Sequence, residues 1–186
     1  MTSYIEKDFP IGFLSQLAEQ ESWRKEVYRP VYYIHKWWAK RLGSVFRGII
    51  LAACAKEESN IQGNFYKSTN FSNITIFDPF MGSGSALVEG ALHQSINKLY
   101  GLDINPLAIF VAKTKTFPIK PEKLESEFVK LLEKLDNKKN VDLGFYNLSN
   151  IDYWFKKQVI GDLSKLKSTI DEITNKNSRN FIFIFF

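Results

Sequence analysis

The chain has 186 residues, is 45% hydrophobic and 24% charged, and carries a net charge of +5. This is an ordinary balance for a globular domain with a real core, and it excludes collagen-like and fully disordered classes. A single cysteine excludes an internal disulfide, and no run approaches the ~20 apolar residues a membrane span needs. Residues 1–10 lack the apolar core of a signal peptide, so the expected location is the cytoplasm, with no membrane partner.

The first expected element is a short amphipathic helix over residues 11–22, with Phe13, Leu14, Leu17 and Ala18 at helical spacing. The basic charge is concentrated next. Between Arg24 and Arg47 seven basic residues face one acid, Glu26, for a local charge of +6. Trp23, Tyr28, Tyr32, Tyr33, Trp37 and Trp38 are interleaved with them. That mixture suits phosphate contacts with base stacking. The competing reading is a solvated helix face above core aromatics. Pro30 breaks the chain, and residues 31–34 read as extended or loop.

Residues 38–56 place Trp38, Leu42, Val45, Phe46, Ile49, Ile50 and Ala53 on one stripe, which predicts a core-facing helix. Lys40, Arg41 and Arg47 fall mostly off that stripe and are candidate nucleic-acid contacts. Cys54 reads as a small buried residue. His35 has no second His or Cys nearby, so no metal site is expected. His93 reads as a helix-surface residue. Residues 57–72 are polar and read as a loop.

The most informative stretch follows, at residues 73–89. A β-branched and aromatic run at 74–78 suits a buried parallel strand. Pro79, Gly82 and Gly84 stop it. The two glycines let a ligand approach the backbone, and Ser83 or Ser85 is expected to cap a helix over 86–94. A second apolar run, 98–103, ends in Asp103, 25 residues after Asp78. That is close to the interval between a glycine turn and a ribose-binding acid in a βαβ unit. Ile104-Asn105-Pro106 then opens a helix over 106–114, with Pro106 at its first position. Leu87 occupies the third glycine position of a dinucleotide-binding turn, and no phosphate-binding P-loop is present. An acid before the glycines disfavours a pyrophosphate and favours a cationic or amino-bearing ligand.

Asp78-Pro79-Phe80-Met81-Gly82-Ser83-Gly84-Ser85 resembles the first cofactor motif of S-adenosylmethionine-dependent DNA amino-methyltransferases, with Ser85 where Thr is common. Residues 101–108, Gly-Leu-Asp-Ile-Asn-Pro-Leu-Ala, resemble their second motif. Residues 33–41 resemble the segment that precedes the first motif in a bacterial adenine-specific or N4-cytosine DNA methylase family. The resemblance covers roughly residues 8–118. It implies a cofactor site shaped by Asp78, Pro79, Phe80, Gly82, Ser83, Gly84 and Asp103. Ile104, Asn105 and Pro106 would support the ribose or adenine side. His35, Lys36 and Trp37 would flank the methionine end. The implied cofactor is S-adenosylmethionine and the implied partner is DNA.

Downstream, residues 121–137 and 154–174 each carry an apolar stripe and read as long packing helices, despite Gly161. Residues 181–186 are apolar throughout and read as an element cut off before its packing partners. The expected fold class is α/β: a partial class I methyltransferase fold, Rossmann-like and doubly wound, with helical additions at both ends. The expected division is an N-terminal helical segment at 1–60, a cofactor-binding βαβα core at 61–120 and a helical region at 121–186.

The family contacts the target amino group with an Asp/Asn/Ser-Pro-Pro-aromatic loop. No two of the six prolines here are adjacent, so that loop is absent and no catalytic residue is assigned. By resemblance, the expected activity is methyl transfer to adenine N6 or cytosine N4 in a restriction-modification system. The chain is expected to be an incomplete frame, inactive alone, with the missing C-terminal half or a restriction subunit as partner. Two alternatives stay open: an RNA base methyltransferase, and an inert remnant of a cofactor domain.

Overall fold

A computed structural model of the protein describes residues 4–23, 37, 40–55, 60–69, 71, 73–93, 96–139 and 150–185. The chain divides into two compact units, Met1–Thr116 and Phe117–Phe186. The leading helices and the βα core expected at 1–60 and 61–120 therefore share one unit.

The first unit opens with a 3-10 turn at Tyr4–Glu6 and helix α1, Ile11–Trp23. Helix α2 is Gly43–Cys54, and short helix α3 is Ile61–Asn64. These build one core from Leu14, Leu51, Ile61, Phe65 and Phe71, with Phe13, Leu17 and Cys54 against it. The Phe13 and Phe65 rings meet edge to face, centroids 5.4 Å apart, a favoured aromatic geometry. Cys54 is partly buried, and burial pushes its thiol pKa up.

Helix α2 begins five residues later than the apolar stripe predicts. Its first turn is capped from a distance: the Glu21 carboxylate accepts from the Gly43 and Ser44 amides at 3.0 and 2.9 Å. Those amides have no partner inside the helix, so a buried acid on α1 fixes where α2 starts. The segment expected to be loop also holds a helix. The Asn60 side chain accepts from the Gly63 amide at 2.8 Å and caps α3.

Strand β1, Ile74–Asp78, pairs in parallel with β2, Ile96–Gly101. Between them runs α4, Ser85–Ala91. Among the described residues this is a two-stranded sheet. Strand β2 ends before the expected Leu102 and Asp103, which leave the ladder to meet the turn after β1. The pairing sets Phe77 opposite Tyr100 and Thr75 opposite Lys98. One face, with Ile76 and Leu99, packs on Met81, Leu87 and Ala112. The other is open: Phe77 is 62% and Tyr100 51% exposed. The strand expected to be buried is thus covered on one face. Helix α5, Pro106–Thr116, follows and starts at Pro106 as the sequence predicts.

The second unit has four helices among the described residues: α6 Pro121–Asn137, α7 Ile151–Trp154, α8 Lys157–Asp171 and α9 Lys176–Phe185. Leu131, Ile170, Ile173 and Ile182 form its core. The helix expected over 154–174 is broken, because Phe155 and Lys156 are extended between α7 and α8. The apolar end forms a helix, with Phe183 and Phe185 exposed. Asn175 Oδ1 takes the Ser178 amide and hydroxyl, both at 3.0 Å, and Ile182 packs inward. Lys138 and Lys134 both reach the Glu172 carboxylate, at 2.7 and 3.0 Å. These bonds hold its pKa down to about 2.

Gly84 has φ +79°, and a Cβ there would lie 2.8 Å from the Ala112 Cβ. Gly84→Ala is expected to destabilise the protein by roughly 2 kcal/mol or more, from left-handed strain plus overpacking. Urea unfolding measures it. Gly12→Ala is the control, since nothing lies within 4 Å of its new Cβ. Equal midpoints for the two variants would refute the reading.

Candidate functional site

The site grows from how the ends of β1 and β2 are tied together. Past the ladder, the Leu102 amide donates to the Asp78 carbonyl at 2.9 Å, and the Met81 amide to the Leu102 carbonyl at 3.1 Å. The turn between β1 and α4 is therefore stitched to the tip of β2. Asp78 Oδ1 also accepts from the Phe80 amide at 3.1 Å.

Gly82 and Gly84 both take positive φ, at +50° and +79°. This turn favours glycine, because other L-residues are strained in that region. The Gly84 amide closes the turn onto the Met81 carbonyl at 2.8 Å. Gly84 itself is the left-handed N-cap of α4, with no side-chain cap. The expectation of a serine cap is corrected: Ser83 and Ser85 are buried instead. Ser85 Oγ donates to the Arg41 carbonyl at 3.4 Å.

Asp103 braces the turn from just past the end of β2. Its Oδ2 accepts from the Gly82 amide and its Oδ1 from the Asn105 amide, each at 2.9 Å. A carboxylate has about four lone-pair sites, so each oxygen keeps room for a further donor such as a hydroxyl. The Asn105 side chain in turn accepts from the Leu107 amide at 2.9 Å, which satisfies an orphan donor of α5. Pro106 follows it at the helix start.

Apolar side chains stand around these acids. Ile104 is fully exposed and Phe80 is 89% exposed. Leu102, Pro79 and Leu107 are also exposed. Trp37 closes one side: its indole nitrogen lies 3.5 Å from where a Cβ on Gly82 would be. Asp78, Phe80, Gly82, Gly84, Asp103 and Ile104 are thus neighbours at one end of the sheet, with Trp37 beside Gly82. His35 and Lys36 lie outside the described residues. So do most of the interleaved aromatics of the basic segment.

The candidate nucleic-acid residues separate. Arg41 is exposed, and Lys40 is partly buried. Arg47 is corrected: it is buried, its Nε 2.9 Å from Glu89 Oε2, and its Nη1 donates to the Phe65 carbonyl at 3.1 Å. A guanidinium held by a buried acid and a core carbonyl does not face a polyanion. His93 is corrected too. It is buried, and its Nδ1 accepts from the Thr69 amide at 3.3 Å. Burial, and then the Arg47 charge, lower its pKa.

Three buried charges escaped the sequence reading: Glu21, Glu89 and Lys115. Glu89 carried a signal, being the one charge on a helix of small and apolar residues. Glu21 and Lys115 carried none. Lys115, on the last turn of α5, is held down to about 7 by burial and by the charge of Lys40.

No family model matches the chain, and no solved structure matches it. A type II methyltransferase, M.MvaI of Kocuria varians, is 40% identical over 114 residues. The shared stretch takes up 57% of this chain and 24% of that protein, so the chain spans about a quarter of its relative's length.

Asp103→Asn places a carboxamide donor against an amide donor. It is expected to cost about 1–3 kcal/mol by leaving a backbone N–H unpaired, read as a lower urea midpoint. An unchanged midpoint would show that the carboxylate does not brace the turn. Lys115 gives a pH test. From about 7 to 10.5 the unfolded chain binds a proton there that the folded chain does not. Stability should therefore rise with pH across that window. Lys115→Met removes the titration, so its advantage over the parent protein should shrink as pH rises. An advantage independent of pH would contradict this.

Proposed function

We propose that this chain forms the cofactor-binding part of an S-adenosylmethionine-dependent DNA methyltransferase. The observation that carries the reading is the bond from the Gly82 amide to Asp103 Oδ2 at 2.9 Å. It joins the glycine turn and the second acid into one cradle, in a stretch of chain similar to a methyltransferase.

The residues present fit the ligand's chemistry. Asp78 is an acceptor at the β1 tip for an ammonium group, and a carboxylate favours a nearby cation. Asp103 keeps acceptor capacity on both oxygens for the two ribose hydroxyls. Gly82 presents backbone rather than a side chain toward Trp37. Ile104 and Phe80 offer exposed apolar surface for a purine face. Trp37 is proposed for the methionine end, with His35 and Lys36 assigned there by resemblance alone; Pro79, Asn105 and Pro106 are proposed as walls, with Ser83 buried beneath the turn. The cofactor, when bound, supplies an electrophilic methyl group on a sulfonium.

The methyl acceptor in this reading is an exocyclic amino group, adenine N6 or cytosine N4, presented as a flipped-out base. Modification within a restriction system is the proposed context. Exposed Arg41, with Lys40, is proposed to meet DNA phosphates. The 186 residues hold no Pro-Pro pair. We therefore assign the amino-group contacts to polypeptide outside them, and propose that this chain alone transfers no methyl group.

Calorimetric titration of the chain with S-adenosylhomocysteine tests the cofactor reading. One-to-one binding is expected, with affinity at least about tenfold lower in Asp103→Ala, the cost of a lost charge-assisted hydrogen bond. No binding heat would end the proposal. Methyl transfer to DNA by the purified chain would overturn the assignment of catalysis to other polypeptide, and transfer to RNA alone would overturn the choice of DNA.

A further inference from the structure

We propose that Arg47 and Glu89 are a positioning pair: they fix how α4 leaves the glycine turn and thereby hold the cofactor cradle in shape. The functional half of this inference rests on the cofactor reading above, and the structural half does not.

Helix α4 has seven residues, Ser85–Ala91. A helix this short has little stability of its own, so its orientation is set by what it touches. It is gripped on three sides. Gly84, at its start, presses on Ala112 of α5. Gly90, near its end, lies against the sheet, where a Cβ would come within 2.8 Å of Ile76 and 2.9 Å of Leu99. The third grip is polar. Ser85 and Glu89 are four residues apart and share one face. Ser85 bonds the Arg41 carbonyl just before α2. Glu89, fully buried, meets Arg47 within α2 at 2.9 Å.

Arg47 is itself held. Its Nη1 donates to the Phe65 carbonyl, and its guanidinium lies 5.9 Å from the Phe65 ring centroid. Helix α2 is registered in turn by Glu21, which caps Gly43 and Ser44. A line of buried polar contacts therefore runs from α1, through α2, to α4 and the turn.

Energetics favour an orienting role over a stabilising one. Desolvating an arginine and a glutamate costs most of what their attraction returns, and apolar replacements of similar volume are often neutral or stabilising. What such replacements lose is direction. Apolar side chains slide and rotate against one another, whereas the opposite charges of Arg47 and Glu89 draw these two side chains to each other within the low-dielectric interior.

The test is the double variant Arg47→Met/Glu89→Leu in the full chain. Two readouts are taken: amide hydrogen exchange, and affinity for S-adenosylhomocysteine. The expected result is a folded protein with a melting temperature at or above that of the parent. In it the Gly82 and Gly84 amides exchange at least about tenfold faster while the α2 amides stay protected. Affinity for S-adenosylhomocysteine falls by a similar factor. A folded double variant with unchanged exchange at Gly82 and Gly84 overturns the inference, whatever the ligand does. Should the double variant not fold, the isosteric Glu89→Gln takes its place: faster exchange at the two glycines supports the positioning role, and unchanged exchange overturns it. Failure of the parent protein to bind S-adenosylhomocysteine overturns the cofactor reading alone, because the exchange measurement still decides the positioning role.

Discussion

The site depends on one hydrogen bond, from the Gly82 amide to the Asp103 carboxylate. A turn with two positive-φ glycines is entropically loose, because glycine loses more freedom on folding than any other residue. Something must hold it in one shape. Here the restraint is an acid just past the end of the neighbouring strand, which binds one amide of the turn and one amide of its own exit loop. Backbone bonds between Leu102, Asp78 and Met81 complete the stitch. Asp103 is therefore structural, and in the proposed reading chemical as well: the group assigned to the cofactor is the one that shapes the turn beneath it.

Around that floor the fold uses buried polar groups as fasteners. Glu21, Arg47 and Glu89 each lie in the interior and each join two elements. Apolar contacts supply most of the driving force for burial but little directionality. Charge-assisted bonds supply the reverse. The first unit combines them, with an apolar cluster around Leu51 and Phe65 and polar ties where the helices approach the turn. In the second unit the ion pairs among the described residues lie at the surface, where Lys134 and Lys138 converge on Glu172. Solvent and salt weaken those bonds.

Local chemistry was readable from the sequence, and remote partnership was not. The β-branched run at Ile74–Asp78, Pro106 at the start of α5 and the apolar stripe of α6 are each decided by residues within one or two turns. Asp78, the glycines and Asp103 stood out because their spacing along the chain is short and characteristic. The start of α2 was misplaced because its cap comes from α1. Arg47 looked like a surface cation because its acid lies on a helix far along the chain. His93 looked exposed for the same reason, its partner being the Thr69 amide. The break at Phe155 and Lys156 has no proline or glycine to announce it. Nor did alternation distinguish a strand covered on both sides from one covered on a single side, since Phe77 and Tyr100 suit either.

That last point has a practical corollary. A pleated surface bearing a phenylalanine beside a tyrosine, on a sheet that has two strands among the described residues, is an apolar face of the kind that attracts other apolar surfaces. Additives that mask aromatic surface, such as arginine, are therefore expected to help keep concentrated preparations of the molecule clear.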